Sequence, residues 1–176
     1  MTSADSLESR VARLEARADI QELLARYALL IDDHNYAALG ELFAEDAVFA
    51  PPGGTRRGRQ EIVAGFRVGC DRYPISRHET HGTVLKFDDA DHARGQVIGF
   101  CELASGEQSV VTSFRYDDVY VREDGRWLFA SRTVHTLYAM THTELADGGL
   151  SRKLRKRWPH DAPAPAELPA DGYPWR

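Results

Sequence analysis

The sequence predicts an α+β fold, in which N-terminal helices pack on a curved antiparallel or mixed β-sheet. Apolar residues recur at helical spacing in the N-terminal part of the chain, and from His78 onward the apolar period switches to two. Helices followed by a series of long strands are typical of domains whose helices cover one face of an antiparallel sheet. When such a sheet curves around its covered face, it forms a cone-shaped α+β barrel with an apolar interior.

The helical part begins with a long helix predicted from Ser6 to Ile31. In its first half, aliphatic residues alternate with Arg and Glu, and we expect this half to pack on something outside the domain's own core. The second half is richer in Leu and Ile and is predicted to be the core helix. The segment NYAALGELF predicts another helical turn or two, and RQEIVAGFRVG predicts a short helix.

Strands are predicted after these helices and once between them. AVFA is a short strand that ends at the Pro-Pro-Gly-Gly sequence, where neither helix nor strand can continue. TRRGRQ is expected to be a solvated loop, because no GKS/T sequence follows to complete a phosphate-binding motif. Four long strands are predicted, separated by turn signals such as ASGEQ and EDG: HGTVLKFDD, ARGQVIGFCEL, SVVTSFRYDDVYVRE and RWLFASRTVHTLYAM.

Length and composition indicate one domain with a substantial core. The chain has 176 residues, of which 43% are hydrophobic, and its formal net charge is -5, which offers no broad basic surface for nucleic acid. Cys70 and Cys101 lack the spacing of a thiolate metal site and suit a reducing interior. The N-terminus alternates charged and aliphatic residues, unlike a signal peptide or membrane span. We therefore expect a cytoplasmic protein that binds a small organic substrate or a protein partner.

The C-terminal part has a different character. We predict a domain at residues 1–145 with an N-terminal helical extension, followed at 146–176 by a basic and then proline-rich tail. The basic cluster from Arg152 to Arg157 is interpreted as a solvated helix end. The proline- and alanine-rich segment beyond it is expected to be extended, either disordered or lying on a neighbour.

The first candidate for chemistry is Asp32, one of two aspartates that end the core helix. With about 100° of rotation per residue, Asp32 lies on the shoulder of the apolar stripe, whereas Asp33 points away from it. A partly buried carboxylate needs a hydrogen-bond donor, and SRHETHG supplies His78 and His81 at the entry to the first long strand. The HxxH spacing on a turn does not match known zinc motifs, so no metal is predicted.

Three blocks of the sequence carry a family resemblance: ADIQELLARYALLIDDHNYAALGELFAEDAVF, RHETHGTVLKFDDADHARGQV and YDDVYVREDGRWLFASRTV. In order and spacing they resemble the SnoaL-like branch of the nuclear-transport-factor-two-like superfamily, over roughly Leu14 to Leu137. This branch includes cofactor-independent scytalone dehydratases, bile-acid dehydratases and a hexachlorocyclohexane dehydrochlorinase. Polyketide cyclases and ketosteroid isomerases are more distantly similar. The resemblance implies the cone-shaped fold and leaves the chemistry open, because this superfamily hosts many reactions and also non-enzymes.

The resemblance also implies roles for individual residues. It places the dehydratase-type aspartate at Asp32 and the histidine that removes a substrate proton at His78, with His81 ranked below it. Tyr27 or Tyr116 would stabilise an oxyanion, and Tyr116 also fits a residue that lines the cavity. Dehydratases present a polar or acidic group on the second long strand. The resemblance places Cys101 at that position in this chain, followed by Glu102. Both are candidate substrate-binding residues, as are two aromatic residues that could line the cone, Phe49 and Phe114.

The leading hypothesis is a cofactor-independent lyase of dehydratase type that acts on a small hydrophobic, cyclic, steroid-like or polyketide-like substrate. An isomerase or cyclase could use the same dyad. A third hypothesis is a non-catalytic member, either a small-ligand-binding domain or a structural subunit. The long first helix, the open sheet face and the tail predict self-association, and the resemblance favours a homotrimer over a dimer.

Overall fold

The computed structural model describes residues 6–148, together with 155–156 and 164–165. The described helices are α1 Leu7–Asp32, α2 Tyr36–Gly40, α3 Arg59–Cys70 and α4 His142–Ala146. The described strands are β1 Phe43–Ala50, β2 Arg56–Arg57, β3 Ser76–Phe87, β4 His92–Ser105, β5 Gln108–Glu123, β6 Arg126–Thr141, β7 Arg155–Lys156 and β8 Ala164–Pro165. The predicted α+β class is confirmed, and the four long runs of period two form β3 to β6.

Six strands form one mixed sheet in the order β2-β1-β6-β5-β4-β3. Strands β3 to β6 form an antiparallel meander, whereas β1 pairs with β6 in parallel. Register shifts occur within the β1–β6, β3–β4 and β5–β6 pairs. Bulges of this kind bend strands and increase their twist. The sheet is curved but not closed, and its concave face packs against the helices.

Helix α1 has a buried half and an exposed half. The side chain of Ser6 caps its N-terminus by accepting a hydrogen bond from the backbone N–H of Ser9 at 3.1 Å. From Ile20 to Ile31 one face of the helix is buried in the core, as predicted for the core helix. Leu7 and Leu14 remain 73% and 67% exposed. These two leucines lie outside the domain's own core, and what they pack on stays a prediction.

The structure differs from the sequence-based prediction between helices α2 and α3. The predicted strand AVFA begins earlier, at Phe43, and the expected solvated loop is absent at Arg56–Arg57. Those two residues pair antiparallel with Val48 and Phe49 as strand β2, which closes a hairpin over the Pro-Pro-Gly-Gly turn. A two-residue strand contains too little sequence to show a period, so it could not be recognised before the fold was known.

The C-terminal tail is only partly described. Helix α4 was not predicted; it begins with a capping box in which Thr141 and Glu144 hydrogen-bond each other's backbone N–H groups. Strands β7 and β8 pair antiparallel. The predicted roles of most of the basic cluster and of the proline-rich end lie outside the described residues. None of the helices in the described part is long and apolar enough to cross a membrane.

A fully buried ion pair lies between β5 and β6 in the core. Nε and Nη2 of Arg132 donate to the two carboxylate oxygens of Asp118, both at 2.8 Å, and the hydroxyl of Tyr120 donates to Asp118 at 2.7 Å. Both charged side chains are fully buried. The Arg132 guanidinium carbon also lies 4.3 Å and 3.9 Å from the ring centroids of Tyr27 and Tyr116. The pair therefore supports two of the aromatic residues predicted to face substrate.

Candidate active site

A cavity of about 260 Å³ lies between the concave face of the sheet, the C-terminal end of α1 and helix α3. Its walls are mainly apolar and aromatic, with few polar groups, which is typical of a small-molecule site. The residues that line it include Tyr27, Phe49, Arg56, Gly65, Cys70, Arg72, Ser76, His78, Cys101, Thr112, Phe114 and Tyr116.

The structure brings Asp32 and His78 together at the edge of this cavity. Asp32 is the last residue of α1, and His78 is the third residue of β3. Oδ1 of Asp32 lies 2.7 Å from Nδ1 of the His78 ring and accepts a hydrogen bond from the Ser76 hydroxyl at 2.8 Å. Oδ2 accepts the backbone N–H of His78 at 2.7 Å. Three donors therefore hold the carboxylate in one orientation, while Asp33 is exposed as predicted.

The electrostatics of Asp32 favour the ionised carboxylate. Partial burial raises its pKa, but the hydrogen bonds from the ring and backbone of His78, and from Ser76, outweigh burial and bring the net pKa below its ordinary value. An ionised Asp32 can only accept hydrogen bonds, so Nδ1 of a neutral His78 carries the proton. The other ring nitrogen, Nε2, then keeps its lone pair and has no partner among the described residues. His78 lines the cavity and can act there as a base.

Tyr27 and Tyr116 both line the cavity beside the dyad and are almost fully buried. Burial raises the pKa of Tyr27 to about 12, even though the positive charge of Arg132 opposes this shift. Burial also raises the pKa of Tyr116 well above its ordinary value, with Tyr27 adding to the effect. Both phenols therefore stay protonated at neutral pH and remain available as hydrogen-bond donors.

The predicted aromatic residues Phe49 and Phe114 also face the cavity. The ring of Phe114 lies 4.8 Å from that of Tyr116 and 6.4 Å from that of His78, measured between centroids. It occupies space that a side chain on the neighbouring strand would need, because a Cβ atom built at Gly99 would lie 1.9 Å from Phe114 Cε2. Gly99 therefore leaves room for the ring of Phe114 beside the candidate base, His78.

The sheet register separates Cys101 from Glu102. His78 pairs with Cys101, which pairs in turn with Thr112, and all three line the cavity. Glu102 pairs with Arg77 on the other face, where their side chains lie 3.4 Å apart. The expectation that Glu102 binds substrate is therefore corrected, since side chains alternate between faces along a strand. Burial raises the pKa of the Cys101 thiol well above its ordinary value, which keeps it protonated.

The other candidate histidine, His81, lies away from the dyad. Its side chain is 54% exposed and its Nε2 atom lies 3.8 Å from Glu79. The described residues contain no group of three or more His, Cys, Asp or Glu side chains placed to hold a metal ion.

Among the cavity residues that the sequence did not predict are Ser76, Arg56 and Arg72. Ser76 precedes His78 by two residues, so period-two alternation from the histidine could have placed it on the same face. Arg56 lies on the strand that was expected to be a loop. Arg72 follows the end of α3, where the sequence carries no periodic signal.

Comparison with curated proteins identifies elimination enzymes as relatives. The chain is 28% identical over 134 residues to gamma-hexachlorocyclohexane dehydrochlorinase from Sphingobium indicum, and the alignment covers 74% of this chain and 86% of that enzyme. A solved hexachlorocyclohexane dehydrochlorinase from Novosphingobium barchaimii superposes with a TM-score of 0.70 at 27% identity, covering 76% of this chain and 94% of that one. Both alignments extend over most of the relative.

A more distant structure supports the fold alone. A scytalone-dehydratase-like protein from Novosphingobium aromaticivorans has a TM-score of 0.71 at 18% identity, with 76% of this chain and 91% of that chain covered. The family comparison is more specific, because residues 12–133 match the SnoaL-like domain. This match spans more than half of the chain and agrees with the resemblance read from the three sequence blocks. The protein therefore belongs to the SnoaL-like domain family.

Proposed function

We propose that this protein is a lyase that eliminates a leaving group from a small cyclic substrate by general base catalysis. The observation that carries the proposal is the hydrogen-bonded pair of Asp32 and His78, with the histidine facing an apolar cavity. A non-catalytic binding domain would not require this pairing. The relatives named as dehydrochlorinases add support, because removal of hydrogen chloride is an elimination.

In the proposed reaction, Nε2 of His78 removes a proton from a substrate carbon. The electron pair of that C–H bond forms a double bond to the neighbouring carbon, and the leaving group departs with the electrons of its own bond. Asp32 stabilises the imidazolium that results and holds the ring orientation. Where the substrate carries a carbonyl, the hydroxyl of Tyr27 or Tyr116 donates a hydrogen bond to the developing oxyanion. Chloride leaves unaided, whereas hydroxide needs a proton.

A hydroxyl leaving group needs a proton donor, and the residues at the implied position are poor donors. This narrows the class of substrates that the site can process. Cys101 occupies the position implied for that donor, but its raised pKa makes it a weak acid, and Glu102 faces away. A protein with this arrangement favours leaving groups of low basicity, or substrates in which His78 returns its own proton to the leaving oxygen. We therefore propose that halide-bearing and β-hydroxy-carbonyl rings both be tested.

The test is a turnover screen with γ-hexachlorocyclohexane and cyclic β-hydroxy ketones, read by chloride release and product analysis. On any substrate turned over, we expect His78→Gln to lower kcat by about 10²- to 10⁴-fold, because the base is lost. Asp32→Asn should also lower kcat strongly, since an amide can no longer select the tautomer. His81→Gln is the matched control and should behave as wild type. Equal rates for wild type and His78→Gln would overturn the proposal.

Product analysis separates elimination from its alternative. An isomerase or cyclase would use the same base and show the same loss in the His78 variant. It would return a product of unchanged composition, or a closed ring, instead of an alkene and a free leaving group. The support for elimination over this alternative comes from the relatives, not from the dyad itself.

We also propose that the protein self-associates, as a homotrimer in preference to a dimer. Apolar side chains are exposed on the outer face of the sheet, where Val84 and Ile98 are 60% and 50% exposed. Leu7 and Leu14 add exposed apolar surface on α1. Exposed apolar side chains, where they cluster, mark interaction sites on proteins.

A further inference from the structure

Two arginine side chains, Arg56 and Arg72, line the cavity. Within the described part of the chain, they are the only lining residues with a permanent charge, since no aspartate, glutamate or lysine contributes to the walls. The wall therefore carries two positive charges, with the ionised Asp32 at the edge of the cavity, although the chain as a whole carries a net charge of -5. A cavity built only for neutral rings would not need this charge.

Neither guanidinium has a carboxylate partner among the described residues. The side chains of Arg56 and Arg72 form no ion pair or hydrogen bond with another described residue. Several other arginines of the chain do: Arg59 lies 3.4 Å from Glu45, Arg94 lies 2.7 Å from Asp88, and Arg132 binds Asp118. An unpaired guanidinium beside an apolar cavity is the arrangement that recognises a bound carboxylate or phosphate.

The sheet register explains why Arg56 faces the cavity. Arg56 pairs with Phe49, whose side chain lines the cavity, and Arg57 pairs with Val48. Directly paired residues place their side chains on the same face of a sheet. Arg56 therefore points inward with Phe49, and Arg57, which is exposed and absent from the cavity wall, points the other way.

Helix α3 is shaped to receive the Arg56 side chain. A Cβ atom built at Gly65 would lie 1.9 Å from Nε and 2.2 Å from Cδ of Arg56, so any larger residue would displace the guanidinium. Its positive charge also reaches Cys70 on the cavity wall, where it opposes the rise in the thiol pKa that burial causes. A side chain held this closely against a helix differs from a solvated surface arginine.

We infer that Arg56 and Arg72 bind an anionic oxygen group of the substrate, a carboxylate or a phosphate, while its apolar ring lies towards His78. This inference rests on the proposed function only in taking the cavity as the substrate site. It narrows the substrate class from apolar rings in general to rings that carry an anionic substituent.

The experiment measures binding by calorimetry with three probes of similar shape: 2-naphthoate, 2-naphthyl phosphate and the neutral 2-naphthamide. We expect the anions to bind roughly tenfold or more tightly than the amide, because hydrogen bonds to charged groups are the strong ones. Arg56→Gln and Arg72→Gln should each remove most of that preference and leave amide binding unchanged. The tighter of the two anions identifies which oxyanion the site prefers.

Two further variants sharpen the test. Gly65→Ala keeps every charge but forces Arg56 off the helix, so it should lose anion preference as Arg56→Gln does. Alanine forms helices more readily than glycine, so Gly65→Ala is not expected to prevent helix α3 from folding. Arg57→Gln removes the neighbouring charge that faces away and should bind the anions as wild type does.

The inference is overturned if naphthoate and naphthyl phosphate bind no better than the amide, if neither binds at millimolar concentration, or if Arg57→Gln loses as much affinity as Arg56→Gln. His78→Gln separates this result from the proposed function. That variant should bind the anionic probes normally while its turnover is lost. Normal turnover in His78→Gln would refute the elimination mechanism and leave the anion site standing.

Discussion

At the scale of single residues, Asp32 has the most constrained environment of the site. Both of its carboxylate oxygens accept hydrogen bonds, from the His78 ring, the His78 backbone and Ser76. These bonds lower the pKa of Asp32 although burial alone would raise it. The same contacts that orient His78 therefore also contribute to the stability of the fold, and the contribution depends on the charge of the carboxylate.

The stability that the Asp32 carboxylate contributes should depend on pH. A carboxyl group whose pKa is lowered by folding stabilises the protein above its unfolded pKa near 4, and this stabilisation is lost as pH falls through the folded value. We expect the difference in unfolding free energy between wild type and Asp32→Asn to be larger at pH 6 than at pH 3. Urea unfolding monitored at each pH measures it. A difference that does not change with pH would contradict the pKa shift.

The sequence alone could predict the Asp32–His78 dyad, but not the cavity's arginines. Helical phase placed Asp32 on the inner shoulder of α1, and the family resemblance supplied its partner. Cys101 and Glu102 could not be told apart, because a slip of one residue in register exchanges the two faces of a strand. Arg56 was missed because its direction depends on pairing with Phe49, and its position depends on the space above Gly65.

At the scale of secondary-structure elements, strand β4 shows how close packing shapes the cavity. Gly99 on β4 leaves room for the ring of Phe114 on β5. We predict that Gly99→Ala lowers stability by about 1–3 kcal/mol, the usual cost of overpacking, and changes ligand affinity because Phe114 must move relative to His78. Thermal or urea unfolding and calorimetry measure the two effects. Gly82→Ala on β3 is a control, since a Cβ there meets only Ile98 Cδ1, at an ordinary 3.6 Å, and Gly82 does not line the cavity.

The ion pair between Asp118 and Arg132 joins strands β5 and β6. Removing one member leaves a buried charge without its partner, and we predict that Asp118→Asn lowers the unfolding free energy by about 3–5 kcal/mol. The double variant Asp118→Leu with Arg132→Met should recover part of that loss, because it removes both charges. Urea unfolding of the three proteins tests this. A single variant as stable as wild type would show that the pair is not a structural support.

The element scale also shows the limits of periodicity. Strands β3 to β6 are 12 to 16 residues long, and their alternation was visible in the sequence. Strand β2 has two residues and α4 has five, so neither contains a full pattern. Strand β2 is formed by pairing with β1, which a local pattern cannot reveal. Helix α4 does carry a local signal, the capping-box spacing of Thr141 and Glu144, which was not used in the prediction.

At the scale of the whole molecule, exposed apolar surface on α1 and on the outer face of the sheet favours self-association. We predict that the protein elutes as an oligomer, a trimer in preference to a dimer, in size-exclusion chromatography with light scattering. Ile98→Glu should shift it towards the monomer, because a charge would be buried at the interface. Gln108→Glu adds the same charge at the exposed start of β5 and removes no apolar surface, so it serves as a control. A monomeric wild type at micromolar concentration would contradict the prediction.

The central claim is that Asp32 holds His78 as the base that removes a proton from a substrate in this cavity. The most direct measurement is loss of a substrate C–H proton to solvent in D₂O, followed by NMR with the same halide-bearing and β-hydroxy-carbonyl rings, with and without an anionic substituent. We expect deuterium incorporation or elimination with wild type, and at least about a 10²-fold slower rate with His78→Gln. Equal rates for the two proteins, or no proton loss from any ring, would contradict it.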